Sequence, residues 1–293
     1  MSEAREIYPL PRDENESNRL NEQHYFITEI IEGPIVKAVP RTNLFAFADV
    51  GTGTGIWLKE ILESMKHMPA ACPRYYHGFD ISDAQFPSTP EEIDFTVQDV
   101  TRPLPLQHQS RYDLVHVRML VGAIKVSDFK TVLANLITLL KPGGYLQWVE
   151  FDIITLLEGN GAEYPKFAEL LQPYYSFATA NGLSLCASKA IYTACKEAGL
   201  VNVARYCPTI LDHLDLEERF QIWLLASFKS IMPRIFLRTG TVATEDAAKQ
   251  LASHWLSELG ELLAEGLKPG TTFGTVVAQK PNDSGGALGY HSE

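Results

Sequence analysis

The chain has 293 residues, of which 45% are hydrophobic and 21% charged, and its 25 basic and 36 acidic residues give a formal net charge of −11. This length suits one large α/β domain, or one domain with a sizeable insertion, and it can bury a full core. The acidic balance disfavours nucleic acid or an anionic membrane surface as the main partner and favours a small molecule or a protein.

The cysteines and the N-terminus bear on the compartment. Cys72, Cys186, Cys195 and Cys207 form no C-x-x-C pair, and no histidines cluster near them. We therefore expect reduced thiols, with neither a disulfide framework nor a metal site. The first residues are polar without an apolar signal core, and no run approaches the about 18 apolar residues of a membrane span. We predict a cytoplasmic protein that does not contact a membrane.

The first predicted helix covers residues 15–32. Its apolar residues fall on one face at helical spacing, and most of its polar residues lie away from that face. Gly33-Pro34 ends it. Residues 1–40 are thus predicted to form a helical segment ahead of the main domain.

Residues 46–57 carry the strongest ligand signal. An apolar strand-like run enters a stretch with Gly51, Gly53 and Gly55, and a helical pattern follows. Strand, glycine turn and helix together aim a helix N-terminus at a ligand, and glycine lets the backbone approach it closely. The dinucleotide fingerprint would need a glycine where Ile56 stands, so the spacing argues against that motif.

Asp49 stands two residues before the first glycine, and the D-x-G-x-G-x-G pattern resembles motif I of the class I S-adenosylmethionine (SAM) dependent methyltransferases. The alternative is a tight turn with no ligand. The resemblance implies an α/β, Rossmann-like fold with a seven-stranded, mostly parallel sheet and helices on both faces. It also implies contacts of Asp49, Gly51, Gly53 and Gly55 with SAM, the product S-adenosylhomocysteine, and no metal.

The second predicted strand, residues 75–79, ends at Asp80. An acidic residue at this strand end can accept both ribose hydroxyls of a nucleoside, and Ile81 would pack on the adenine face. The alternative for Asp80 is a helix N-cap.

The third predicted strand, residues 93–98, ends at Asp99-Val100. The resemblance implies that Asp99 accepts the adenine amino group and that the backbone N–H of Val100 faces the ring. The alternative is a turn aspartate that bonds its own backbone.

The fourth predicted strand, residues 112–118, is apolar enough to be central, and its C-terminal end should border the methionine part of SAM. Arg118 suits the methionine carboxylate there, or else pairs with a surface acid. A helix over 129–140 then leads to L-K-P-G-G-Y-L, which is a second match to the superfamily, and to a fifth strand over 145–151 that contains Glu150.

The C-terminal half resembles the superfamily less closely. Strands six and seven of that fold normally form a hairpin, whereas here about 60 residues separate them, too many to be structureless. We predict helices over 162–179, 188–199, 215–240 and 244–266, and strands over 201–207 and 272–278. The predicted organisation is a SAM-binding core over 41–210 (with 152–185 partly in a cap), a helical cap over 211–270, a last strand over 271–280 and a disordered tail over 281–293.

Residues 13–24 are similar to the leader of fungal methyltransferases of secondary metabolism, the branch that includes the velvet-complex methyltransferase. In that branch the leader helix lies over the cofactor pocket, so Gln23 and His24 would face the active site. The alternative is a covering helix whose polar residues are merely solvated.

Methyl transfer from SAM mainly requires in-line positioning of the acceptor and exclusion of water. A hydroxyl acceptor would benefit from a base, and the candidates are His24, His116 and Glu150. A structural role is the alternative for each of them. Aromatic residues of the cap suit an apolar, ring-bearing substrate, and with Gln23 the predicted substrate contacts are Tyr174, Tyr175, Trp223 and Phe228.

We conclude from the sequence that this is a SAM-dependent methyltransferase acting on an oxygen, nitrogen or carboxylate of a small apolar or aromatic secondary metabolite. Two alternatives stay open. One is a velvet-type regulatory protein that acts through protein partners. The other is a SAM-binding enzyme of the same fold that catalyses a non-methylating cyclisation. A homodimer is compatible with either reading.

Overall fold

The computed structural model describes residues 12–68, 72–89 and 92–282. Seven strands form one sheet in the order β3-β2-β1-β4-β5-β7-β6. All neighbouring pairs are parallel except those of β7, which runs antiparallel to β5 and β6. The strands are β1 (Ala46–Val50), β2 (Tyr75–Asp80), β3 (Ile93–Val97), β4 (Tyr112–Arg118), β5 (Leu140–Phe151), β6 (Val201–Tyr206) and β7 (Phe273–Gln279).

Helices cover both faces of this sheet. They are α1 (Glu14–Ile30), α2 (Ile56–Met65), α3 (Phe129–Leu139), α4 (Pro165–Ala180), α5 (Ala187–Glu197), α6 (Glu217–Arg238) and α7 (Glu245–Ala264). Asp13 caps α1 by accepting a hydrogen bond from the backbone N–H of Glu16 (2.9 Å), and Thr244 caps α7 in the same way.

The alternation of side chains along β1 explains the two-sided core. Phe47 packs in the cluster that also holds the apolar faces of α1, α2, α4, α6 and α7. Ala46, Ala48 and Val50 point to the opposite face, where α3 and α5 pack. Because both faces are covered, every residue of β1 is buried. The predicted fold class, a seven-stranded and mostly parallel sheet with helices on both faces, is confirmed.

The start of β5 differs from the prediction. The Lys-Pro-Gly-Gly segment was expected to be a turn ahead of a strand at residue 145, but β5 already begins at Leu140, which pairs with Tyr112. A register shift between Tyr112 and Leu114 absorbs the irregular segment. Lys141 adds an ion pair to Asp113 of β4 (2.8 Å). Pairing with the start of β4 therefore extends β5 back through the Lys-Pro-Gly-Gly segment, which was expected to be a turn.

Helices α6 and α7 lie between β6 and β7 and pack against each other, and α6 also contacts α1 and α4. The predicted tail from 281 falls outside the described residues beyond Asn282, as do residues 1–11 of the predicted leader. Within the described ranges, no helix combines the length and apolar character needed to cross a membrane.

Candidate active site

The glycine turn after β1 is fixed by the neighbouring strand. The backbone N–H groups of Gly51 and Thr52 both donate to the carbonyl of Phe79, at 2.8 and 3.0 Å. Gly51, Gly53 and Gly55 have φ angles of +73°, +53° and +72°, a region that residues with a Cβ rarely adopt. The turn is thus pinned to the end of β2 in a conformation that requires glycine.

Side chains also pack tightly against this turn. A Cβ on Gly51 would lie 2.6 Å from Cδ2 of Leu120, and one on Gly55 would lie 2.7 Å from Cζ of Phe95. A Cβ on Gly53, by contrast, would meet only ordinary contact distance, 3.4 Å from Cδ1 of Leu20 on α1. Helix α1 therefore lies directly over the middle of the turn.

Asp49 holds the turn from inside rather than facing solvent. One carboxylate oxygen accepts from the Thr52 hydroxyl (2.8 Å), and the other pairs with Nδ1 of His116 (2.8 Å). Since a carboxylate only accepts, Nδ1 of His116 carries the proton. The His116 ring stacks on Trp57 with centroids 4.1 Å apart, and burial lowers its pKa. The side chains of Asp49 and His116 are therefore buried beneath the turn.

Asp80 reaches the turn from the end of β2. Its carboxylate accepts from the backbone N–H of Gly53 (2.9 Å) and of Ser82 (3.2 Å), and burial raises its pKa. Two N–H donors leave further lone pairs on this carboxylate for a ligand. The next residue, Ile81, is 54% exposed, so an apolar side chain stands uncovered beside this acid. These two residues fit the ribose and adenine contacts that were predicted for them.

Asp99 makes the local contacts of a turn residue. One of its carboxylate oxygens accepts from the backbone N–H of Thr101 (2.9 Å) and from its hydroxyl (2.7 Å). The carbonyl of Val100 accepts from the Asn135 side chain (2.7 Å). The alternative reading of Asp99 is therefore realised in this structure, while its second oxygen has no hydrogen bond to a described residue. The adenine contact stays a prediction.

Arg118, at the end of β4, donates from Nη1 to Nδ1 of His24 on α1 (2.8 Å). Because arginine can only donate, Nδ1 of His24 accepts and its Nε2 carries the proton, which it donates to Glu60 of α2 (2.5 Å). Burial lowers the pKa of His24. Among the described residues, Arg118 has no second hydrogen-bond partner, so most of its donors remain available to a ligand.

Glu150 anchors the loop that follows β4. Its carboxylate accepts from the backbone N–H groups of Leu120 (2.9 Å) and Val121 (3.1 Å) and from the indole of Trp148 (2.7 Å). Burial raises its pKa to about 8, while the three donated hydrogen bonds act in the opposite direction. Met119, which begins this loop, is held at a φ of +57°. The carboxylate thus shapes the loop.

An apolar cavity of about 110 Å³ lies beyond the C-terminal ends of β4 and β5, lined by residues of α1, α4, α6 and this loop. Four of the five predicted substrate residues line it, namely Gln23, Tyr174, Trp223 and Phe228. Tyr175 does not line it, because it packs in the adjoining core with a buried hydroxyl that has no partner among the described residues.

The predicted bases are not among the lining residues of this cavity. Both ring nitrogens of His24 are hydrogen-bonded, one to Glu60 and the other to Arg118. Nδ1 of His116 is hydrogen-bonded to Asp49, and the carboxylate of Glu150 accepts from three N–H groups. All three residues make contacts that suit the structural role given as their alternative, and a base role for any of them stays a prediction. Their contacts are those of positioning residues.

Sequence reasoning did not assign most of the lining residues to the cavity, and three of these bear on its position or polarity. Leu20 lines it and also lies nearest the Cβ position of Gly53, and Arg19 and Ser227 add polar groups. Helical periodicity placed Leu20 on the apolar face of the first helix. It could not show that Leu20 contacts both the glycine turn and the cavity. Arg19 bonds to Glu16 and Gln23 at helical spacing on α1, so its contacts were within reach of the sequence. Ser227 carried no signal.

A model of a methyltransferase domain family matches residues 47–205, more than half of the chain. The chain belongs to this methyltransferase family. The resemblance inferred from the D-x-G-x-G-x-G motif is thereby confirmed. The matched range begins in β1 and ends in β6, so it contains the glycine turn, Asp80, Arg118 and Glu150.

Two fungal proteins are similar to this chain over part of their length. The methyltransferase grgD of a Penicillium species is 41% identical over 150 residues, which cover 50% of this chain and 53% of grgD. The N-methyltransferase sirN of Leptosphaeria maculans is 31% identical over 187 residues, which cover 60% of this chain and 62% of sirN. The matches thus span between about half and just under two thirds of these relatives.

Among solved structures, the cyclopropane synthase MmaA2 from Mycobacterium tuberculosis is similar, with a TM-score of 0.51 and 12% identity. That match covers 86% of this chain and 83% of MmaA2. At this identity the likeness shows the shared fold alone.

Proposed function

We propose that this chain is a SAM-dependent methyltransferase that methylates an oxygen or nitrogen atom of a small, apolar or ring-bearing secondary metabolite. The observation that carries the proposal is the adjacency of two sites. Leu20 packs over Gly53 of the glycine turn and also lines the apolar cavity. On the other side, Leu120 packs on Gly51, while its neighbour Val121 lines the cavity. A ligand on the turn and a ligand in the cavity would therefore be neighbours.

The residues at the turn fit SAM on their own chemistry. Asp80 offers free carboxylate lone pairs for ribose hydroxyls, exposed Ile81 offers apolar surface for adenine, and Arg118 offers donors for a carboxylate. The backbone of Gly51, Gly53 and Gly55 has no side chain to block close approach. When bound, SAM supplies a methyl group already activated on a sulfonium.

The chain's own contribution is positioning and exclusion of water. Helix α1 is tied across the site by the hydrogen bond of the Thr54 hydroxyl to Asn21 (2.7 Å), by the His24 pair with Glu60, and by the indole of Trp223, which donates to Gln23 (3.0 Å). Such a cover keeps water from the acceptor and holds it in place, which is most of what methyl transfer asks of a protein. We propose on this basis that residues 1–40 act as a lid and 211–270 as a cap.

The composition of the cavity narrows the acceptor. No histidine, aspartate or glutamate is found among the described residues that line it. An acceptor in this cavity must already be nucleophilic at neutral pH, such as a neutral amine or a readily ionised hydroxyl. The N-methyltransferase name of sirN supports a nitrogen acceptor. We keep cytoplasmic location and a homodimer as predictions.

The test is methyl transfer from SAM that carries a trideuterated methyl group to a panel of neutral ring-bearing amines and phenols, followed by mass spectrometry. We expect at least one product that has gained one labelled methyl group. A product of unchanged mass would instead support a non-methylating enzyme of this fold. SAM binding without any product across the panel, together with capture of a protein partner, would support the regulatory alternative.

A further inference from the structure

The amide of Gln23 has a defined orientation at the cavity wall. Its Oε1 accepts from Nη1 of Arg19 (2.7 Å) and from Nε1 of Trp223 (3.0 Å). Guanidinium and indole nitrogens can only donate, so the atom that receives both must be the oxygen. The two ends of the amide, which are otherwise hard to distinguish, are therefore assigned by their partners.

The amide nitrogen of Gln23 is left for another partner. It makes no hydrogen bond to any described residue, although Gln23 is only 4% exposed and lines the cavity. Nε2 is not among the fully buried side-chain atoms that lack a partner, so in the described structure this N–H donor is accessible from the cavity that Gln23 lines. A hydrogen-bond acceptor on a molecule in the cavity would satisfy it.

The charge balance of the cavity indicates a neutral ligand. Arg19 is the charged residue among the described lining residues, and it is neutralised by Glu16, whose two oxygens lie 2.9 Å from its Nε and 2.5 Å from its Nη2. A carboxylate ligand would compete with this buried, two-point pair, and a cationic ligand would find no lining carboxylate. The Ser227 hydroxyl, which is buried without a partner among the described residues, is a further neutral polar group on the wall.

We propose that Nε2 of Gln23 donates a hydrogen bond to a carbonyl oxygen of the methyl acceptor, so that the substrate class is neutral, ring-bearing carbonyl compounds. That the bound molecule is the methyl acceptor rests on the proposed function. The carbonyl preference of the cavity itself follows from Gln23 and its partners. Arg19 and Trp223 act as positioning residues because they orient the amide without needing to touch the ligand.

The test uses two neutral probes with one bicyclic ring system, 1-indanone and indane, which differ by a carbonyl oxygen. Binding to the full chain is measured by ligand-observed NMR in competition with each other. A neutral hydrogen bond of about 0.5–1.5 kcal/mol converts to a preference for 1-indanone of roughly 2- to 12-fold. Equal binding of the two probes at the cavity would overturn the proposal.

Gln23→Glu is the informative variant. It keeps the side-chain shape and an oxygen for Arg19 and Trp223, but it replaces the free N–H donor by an acceptor. We expect the preference for 1-indanone to disappear, while Gln221→Glu, an equal charge change on α6 at a residue that does not line the cavity, leaves it intact. Retention of the preference in Gln23→Glu would contradict the assignment.

SAM binding separates the two proposals. A carbonyl preference in a protein that does not bind SAM would sink the methyltransferase function and leave the Gln23 assignment standing. SAM binding with labelled methyl transfer, but without any carbonyl preference, would support the methyltransferase function and overturn the Gln23 assignment.

Discussion

Replacing Asp80 by alanine tests the donor side of the site. The Asp80 carboxylate is buried at the tip of β2, and its two described donors leave it able to accept ribose hydroxyls. A hydrogen bond to a charged group contributes about 1.5–3 kcal/mol. At about 1.4 kcal/mol per tenfold, Asp80→Ala should weaken SAM binding by roughly 10- to 150-fold.

Part of this loss has a structural origin, because the variant also removes the acceptor of the Gly53 and Ser82 N–H groups. The two N–H groups bond to different oxygens of Asp80, so Asp80→Asn loses the charge and keeps an acceptor for only one of them. It should therefore show a smaller effect than Asp80→Ala. Asp83→Ala in the same exposed loop removes one charge but no hydrogen bond to the glycine turn among the described residues, and it should bind SAM like the wild type. Calorimetric titration of the three variants measures the difference, and an unchanged affinity in Asp80→Ala would remove this residue from the site.

Three other perturbations probe the fold and the site. Gly51→Ala should lower the free energy of unfolding for two reasons. An alanine at a φ of +73° costs about 1–2 kcal/mol, and Leu120 must also move away from the new Cβ at a further cost. Gly182→Ala at a φ of +69° has open space and should show the backbone cost alone in urea unfolding; equal losses would remove the Leu120 contact from the account. Burial lowers the pKa of His77 to about 4 in the folded protein. As the pH falls from 6.5 to 4, this histidine binds a proton in the unfolded chain but not in the folded one. Unfolding free energy should therefore fall by up to about 3 kcal/mol between pH 6.5 and 4, and His77→Gln should lack this component; an unaltered pH dependence in that variant would contradict it. Finally, Arg118→Leu should weaken SAM binding by roughly tenfold or more yet spare 5′-methylthioadenosine, which lacks the methionine carboxylate, whereas equal losses for both would refute the carboxylate role.

Local signals predicted the sheet well, and they also selected residues that lie together at one edge of it. The glycines of the turn follow β1, and Asp80 and Arg118 are the last residues of β2 and β4. Parallel strands bring their carboxyl ends to one edge. Spacing along the chain was thus enough to gather Gly51, Asp80 and Arg118. The early start of β5 was not predictable, because the pairing of Leu140 with Tyr112 depends on a register shift in the neighbouring strand.

The acceptor side depended on contacts that sequence spacing does not encode. Trp223 and Gln23 are 200 residues apart, yet their hydrogen bond orients the amide at the cavity. The predicted bases also show that a role cannot be assigned from residue type and spacing alone. His24, His116 and Glu150 have suitable chemistry, but their partners Arg118, Asp49 and the loop at Leu120 occupy them. Residue type suggests a role, and access decides it.

The most direct test of the central claim is calorimetric titration of the wild-type chain with SAM and with S-adenosylhomocysteine. The geometry of the turn, Asp80, Ile81 and Arg118 predicts that both ligands bind at micromolar concentration, because both carry the nucleoside and the carboxylate that these residues suit. Absence of binding for both would contradict the account and leave the glycine turn as a structural feature of the fold.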